Sequence, residues 1–261
     1  MPRPSDDFIA TLAESARRTI SEGYYNVQDA NMAPRSLRNA LLTAKGIPLI
    51  TEVKFRSPAE GLLRKSTDVR EIALKYQRGG AAGISVLTEP KHFEGRLEYL
   101  TAVKRSVGIP VLMKDIVIDP VQIDAARKAG ADAILLMAIL FKARLSNFGL
   151  EQLIEHAHAR GLEVLLEAHT ESEYLESLQS SADIVGINNR NLKTLEVSLD
   201  TSRDLLRGHA HSKTVICESG FSKTSELAEL RSLGADGFLV GSALMKSGDI
   251  EKTVRELVGA S

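Results

Sequence analysis

From Pro48 onward the chain alternates short apolar runs with segments of helical periodicity, and few folds accept that pattern eight times over. The runs are Leu49–Val53, Gly83–Leu87, Val111–Met113, Ala133–Met137, Val164–Leu166, Ile184–Ile187, Val215–Cys217 and Gly237–Val240. Helical spacing is expected over Val69–Tyr76, Leu97–Val107, Val121–Lys128, Leu150–His158, Glu173–Leu178, Leu227–Leu233 and Ile250–Val258. Strands alternating with helices imply βαβ units and a parallel sheet. Gly80-Ala81-Ala82-Gly83, Gly130-Ala131-Asp132-Ala133 and Gly234-Ala235-Asp236-Gly237 repeat one device, a capping glycine and a small-residue turn before a strand. Eight such units with no Gly-rich dinucleotide fingerprint favour an α/β fold of the closed (β/α)8 TIM-barrel type. The competing reading is an open, flavodoxin-like sheet.

The chain has 261 residues, which would allow two domains, but α/β barrels use about 200–250 residues as one. Residues 1–47 differ from the rest. Phe8, Leu12, Ala16 and Ile20 recur at helical spacing behind Ser5-Asp6-Asp7, and a second helix is expected from Ser36 to Lys45, stopping at Gly46. The segment is too short to stand alone. The expected division is therefore an N-terminal helical extension, 1–47, packed on a barrel catalytic domain, 48–261.

Composition narrows the function classes. A net charge of −1 gives no electrostatic reason to bind nucleic acid or a membrane surface. No apolar run nears the ~20 residues of a membrane helix. Met1–Glu14 lacks a cationic stretch leading into an apolar one, so no secretory leader is expected. The single cysteine, Cys217, leaves no disulfide framework and fits a reducing compartment. A soluble, cytoplasmic protein is the expectation.

In a barrel the C-terminal strand ends converge on one mouth. In Pro48–Pro58, Ile50, Glu52 and Lys54 share one face by strand alternation. Charge at the end of an apolar strand recurs: Ser85 and Thr88-Glu89, Lys114-Asp115, Glu167 with His169, Asn188-Asn189-Arg190, and Glu218 before Ser219-Gly220. Two lysines, an arginine and a set of carboxylates that includes Glu52, Glu167 and Glu218, aimed at one mouth, suit acid–base work, against the plainer reading of a structural ion-pair ring. Ser219-Gly220 and Gly241-Ser242 follow the last two strands, where such barrels hold phosphate. Tight glycine turns are the alternative. The long Phe55–Thr67 loop, with Arg56, Ser57, Gly61, Arg64 and Lys65, has the size of a lid, the alternative being a disordered surface loop. Cys217 reads as a core thiol, and His156 and His158, two apart on a helix, face different ways. His209 and His211 fall in a polar, solvated connection. No metal set stands out, His169 near Glu167 being the one candidate.

With these residues in place, the sequence resembles the indole-3-glycerol phosphate synthase family. The motifs are Glu52-Val53-Lys54-Phe55-Arg56-Ser57-Pro58, Ser85-Val86-Leu87-Thr88-Glu89-Pro90, Lys114-Asp115 with Ile118-Asp119, Leu166-Glu167-Ala168-His169, Gly186-Ile187-Asn188-Asn189-Arg190-Asn191-Leu192 and Glu218-Ser219-Gly220. The resemblance covers essentially the whole chain. It implies a carboxy-lyase that turns 1-(2-carboxyphenylamino)-1-deoxyribulose 5-phosphate into indole-3-glycerol phosphate, CO2 and water, with no cofactor or metal. It implies Lys114 as the acid of ring closure and Glu167 as the acid–base residue of dehydration. Lys54 would pair with the substrate carboxylate, or serve as a second acid, and Glu52 would orient the lysines. Asn188, Arg190 and Glu218 would hold the reacting part. Ser57, Ser219, Gly220, Gly241 and Ser242 would cradle the phosphate, and Phe93 and Leu135 would line the aromatic pocket. Two positions depart from the family pattern: Ile116 stands where phenylalanine is usual, and Ala59 where serine often follows Ser57-Pro58.

The expected partner is this phosphorylated small molecule, bound by a monomer that could associate with other tryptophan-pathway enzymes. The alternatives are a Schiff-base aldolase, a sugar-phosphate isomerase on the same scaffold, and a non-catalytic phosphate-binding barrel.

Overall fold

A computed structural model describes residues 7–65, 68–192 and 194–259. Helices α1 (Asp7–Ser21) and α2 (Leu37–Leu42) precede strand β1 (Leu49–Val53). A small hairpin follows, β2 (Arg56–Ser57) and β3 (Gly61–Leu62). The order is then α3 (Val69–Arg78), β4 (Gly83–Leu87), α4 (Leu97–Ser106), β5 (Val111–Lys114), α5 (Pro120–Ala129), β6 (Ala133–Met137) and α6 (Ala138–Lys142). Next come α7 (Leu150–Ala159), β7 (Glu163–Ala168), α8 (Glu171–Gln179), β8 (Ile184–Asn188) and α9 (Asp200–Gly208). The chain ends with β9 (Thr214–Glu218), α10 (Thr224–Ser232), β10 (Gly237–Val240), α11 (Ser242–Lys246) and α12 (Ile250–Val258). Parallel pairing runs from β4 through β10, and β1 joins β10 to β4, so eight strands close the (β/α)8 barrel.

Strand alternation divides the apolar residues into two layers. Leu49, Val53, Ile84, Val86, Leu136, Leu166, Val185, Val215 and Phe238 pack outward against the helices. Ile50, Leu112, Leu135, Leu165, Ile184, Ile216 and Leu239 pack inward and fill the barrel. Each strand thus buries both faces, as a parallel sheet under helices requires. The helices are marked by their ends. In α5, Asp119 accepts from Val121 N, Pro120 opens the first turn, and Gly130 at φ +94° closes the last.

The two N-terminal helices sit at opposite ends of the barrel. Leu37 of α2 packs on Gly83, and Leu41 on Gly237, at the N-terminal ends of β4 and β10. Ile9, Leu12, Ala13 and Ala16 of α1 pack with Ile116, Ile118 and Leu140, beyond the C-terminal ends of β5 and β6.

Several elements differ from expectation. The barrel strands β5, β7, β8 and β9 run on into their closing polar residues, because backbone pairing continues whatever the side chain. α2 stops at Leu42, before Lys45. α6 and α9 were not anticipated, and the Phe55–Thr67 loop holds a hairpin, with Ser66 and Thr67 outside the described residues. Ser5 and Asp6 of the expected cap lie outside them too.

Leu41 is 1% exposed. Leu41→Ala should cost about 2–5 kcal/mol of stability, read by denaturant unfolding followed by far-UV circular dichroism. A loss under about 1 kcal/mol would contradict the packing of α2 under the barrel.

Candidate active site

One layer above the apolar plug, the inward residues turn polar. Two residues past Ile50, Leu112, Leu165 and Ile216 come Glu52, Lys114, Glu167 and Glu218. Alternation alone sets them side by side. A cavity of about 630 Å³ opens above them. It is lined by every expected site residue except Glu218: Glu52, Lys54, Ser57, Phe93, Lys114, Leu135, Glu167, Asn188, Arg190, Ser219, Gly220, Gly241 and Ser242. Glu218 is fully buried beneath Lys114.

Lys114 Nζ lies 2.5 Å from Glu218 Oε2 and 3.5 Å from Glu167 Oε2. Lys54 Nζ lies 2.7 Å from Glu52 Oε1, and Ser85 Oγ donates to Glu52 Oε2 at 3.5 Å. Three carboxylates therefore face two ammonium groups. Burial alone would strip the Lys114 proton, but Glu218, Glu167 and Glu52 outweigh it and hold the amine charged well above its ordinary range. Burial would likewise neutralise Glu52, yet Lys54 and Lys114 keep it ionised below its usual value. The excess negative charge falls on Glu218. Burial, with Glu167 and Glu52 nearby, pushes its carboxyl up to about 7 against the pull of Lys114. Its Oε1 has no hydrogen-bond partner among the described residues.

Two glycines make the crowding possible. A Cβ on Gly186 would collide with Glu218 Oε1, and one on Gly241 would sit 2.5 Å from Glu52 Oε1. Loop bonds aim the remaining groups. Glu89 accepts from the N–H of Lys91, His92 and Phe93, at 3.0, 2.7 and 3.1 Å, and so curls the turn that presents Phe93. Asp115 accepts from Thr88 Oγ1 at 2.5 Å and Ile116 N at 2.7 Å, and burial pushes its carboxyl up to about 6. Asn189 donates to Ser219 O at 3.1 Å, tying the loop after β8 to Ser219, whose φ of +70° turns the chain sharply.

Other groups fall away from the site or serve it indirectly. His169 Nδ1–H donates to Asn188 O at 2.7 Å, which orients the Asn188 strand end. Cys217 is a buried free thiol that burial pushes up to about 12, which leaves it inert. His156 and His158 pair with Asp124 and Asp183. His209 and His211, expected to be solvated, are half-buried and bonded to Glu171 and Lys213 O. Among the described residues, no group of three or more His, Cys, Asp or Glu could hold a metal ion.

Sequence reasoning missed Phe8 and Leu12, which bring α1 to the cavity, and Glu60 and Lys246, which meet across it. Phe8 and Leu12 were legible as a helix face but not as a face over the mouth. Glu60 sits at the tip of a Pro58-Ala59-Glu60-Gly61 turn, whose only signal was its turn chemistry.

The model of the family described as indole-3-glycerol phosphate synthase matches residues 9–257. An indole-3-glycerol phosphate synthase from Rhodococcus jostii is 44% identical over 221 residues, covering 85% of this chain and 81% of that one. One from Campylobacter fetus is 39% identical over 226 residues, covering 87% and 86%. Among solved structures, thiamine phosphate pyrophosphorylase from Pyrococcus furiosus superposes with a TM-score of 0.59 at 20% identity, over 85% of this chain and 96% of that one. An N-acetylmannosamine-6-phosphate 2-epimerase from Clostridium perfringens gives 0.61 at 17%, over 82% and 93%. At such identities these two speak for the fold alone.

Gly186→Ala should destabilise the protein by about 1–3 kcal/mol through overpacking. In a Glu218→Ala background the added methyl should cost little, as a double-mutant cycle in denaturant would show. Equal costs in both backgrounds would contradict the contact.

Proposed function

Because the chain belongs to the indole-3-glycerol phosphate synthase family, its reaction is the ring closure and decarboxylation of tryptophan biosynthesis, and we propose that the charged layer at the barrel mouth performs it as follows. The aromatic carbon bearing the carboxylate attacks the ketone. The oxygen that develops negative charge takes a proton from Lys114, whose ammonium is held charged by Glu218, Glu167 and Glu52. Loss of CO2 restores the aromatic ring. The nitrogen lone pair then expels the hydroxyl, protonated by Glu167, as water leaves. The neighbouring carbon gives its proton to the Glu167 carboxylate just formed, which restores that acid, and Lys114 regains its own proton from water. The observation that carries this reading is Lys114 bonded between two carboxylates on the floor of a half-enclosed cavity.

Lys54 anchors the substrate carboxylate, a role supported by its 2.7 Å contact with Glu52 and its place on the cavity wall. Asn188 holds the sugar chain from the end of β8, and Arg190, beside Glu60 and Ser242, reaches from the loop that follows to its phosphate end. Ser219, Gly220, Gly241 and Ser242, beyond β9 and β10, take the phosphate together with Ser57 of the β2–β3 hairpin, all of them lining the cavity. Phe93, Leu135 and Ile116 pack on the aromatic ring, with Phe8 and Leu12 of α1 closing that side. Ile116 does by aliphatic contact what an aromatic side chain does elsewhere in the family. We also propose that residues 1–47 form an extension of one barrel domain, 48–261, and that the protein works as a cytoplasmic monomer, the lone buried thiol fitting a reducing compartment.

Lys114→Ala should lower kcat by about 100-fold or more, with inorganic phosphate still bound, read by the fluorescence of the indole product. Near-normal turnover would sink the assignment. Glu167→Gln should cost about as much and accumulate a ring-closed species that has lost CO2 but kept its hydroxyl, visible by mass spectrometry of quenched reactions. Accumulation of uncyclised substrate alone would move Glu167 to the earlier step.

A further inference from the structure

Glu60 at the tip of the β2–β3 hairpin reaches into the mouth and meets the donors on its far wall. Its carboxylate accepts from Ser242 Oγ at 2.7 Å and Lys246 Nζ at 2.5 Å, and lies 3.4 Å from Arg190 Nη2. Its own N–H donates to Ser57 Oγ at 3.1 Å, which fixes the turn that aims it. Burial would raise its carboxyl, but the bonds from Lys246 and Ser242 keep it below the usual range, so it is ionised at neutral pH. An ammonium, a guanidinium and a hydroxyl arranged about one anion are also what a phosphate monoester selects.

We propose that Glu60 is an internal anion that occupies the phosphate end of the site in the free enzyme and competes with the substrate's phosphate for Arg190, Ser242 and Lys246. Two anions cannot share these donors without like-charge repulsion in a half-enclosed mouth. Substrate entry therefore expels the Glu60 carboxylate and shifts the hairpin tip, and the carboxylate returns as the phosphorylated product leaves. Glu60 sets the affinity for the phosphate end without touching the reacting atoms. This inference rests on the reading that Ser242 and its neighbours hold the phosphate.

Isothermal titration of inorganic phosphate into the wild type, Glu60→Gln and Ser242→Asp tests both. Glutamine keeps the shape and removes the charge. Glu60→Gln should bind phosphate about tenfold tighter, with the KM for substrate falling in step. Ser242→Asp, which adds a second fixed carboxylate, should bind none. If Glu60→Gln binds phosphate no better than the wild type while Ser242→Asp abolishes binding, the competition is overturned and the phosphate site stands. If Ser242→Asp binds phosphate as the wild type does, the phosphate lies elsewhere and both readings fall.

Discussion

The ion pair between Lys114 and Glu218 carries the rest of the site. It forms on the first polar layer above an apolar plug, with Glu218 fully buried and Lys114 half-buried at the cavity floor. A buried charge without a partner is costly, so each group holds the other ionised or shares its proton. Glu167 and Glu52 extend the pair into a cluster with more carboxylate than ammonium charge. That imbalance keeps the Lys114 proton in place and leaves Glu218 ready to accept one. A charged substrate entering this cavity meets a field already arranged by fixed side chains.

The scaffold supplies the cluster by simple means. Residues of one face recur every second position, so the apolar plug and the charged layer are the same faces of the same strands, one step apart. Gly186 and Gly241 give the carboxylates room where any side chain would collide. The barrel's closure between β1 and β10 brings Glu52 beside Gly241, although they lie far apart in the sequence. The N-terminal helices finish the enclosure from both ends, α2 below and α1 above.

Much of this was legible in the sequence. The eight strands announced themselves because each buries both faces and is mostly apolar, and a polar residue closing most of the runs marked the mouth. What stayed hidden had physical causes. The helix Asp200–Gly208 buries only Ser202, Leu205 and Leu206 and is otherwise polar, so only two apolar residues mark it in the sequence. Two-residue strands such as Arg56–Ser57 are too short for alternation to register. The meeting of Glu60 with Ser242 and Lys246 depends on closure of the barrel, which spacing along the chain cannot show. Phe8 and Leu12 displayed their helix face, but which end of the barrel that face covers is a tertiary fact.

The charge excess raises the Glu218 carboxyl well above its ordinary range while Lys114 keeps its proton. Infrared difference spectroscopy of the free enzyme, titrated from pH 5 to 9, measures this directly. A protonated-carboxyl stretch that fades with a midpoint of about 7 and is missing in Glu218→Gln is the result expected. No such band in the wild type, or one that survives in Glu218→Gln, would contradict the account.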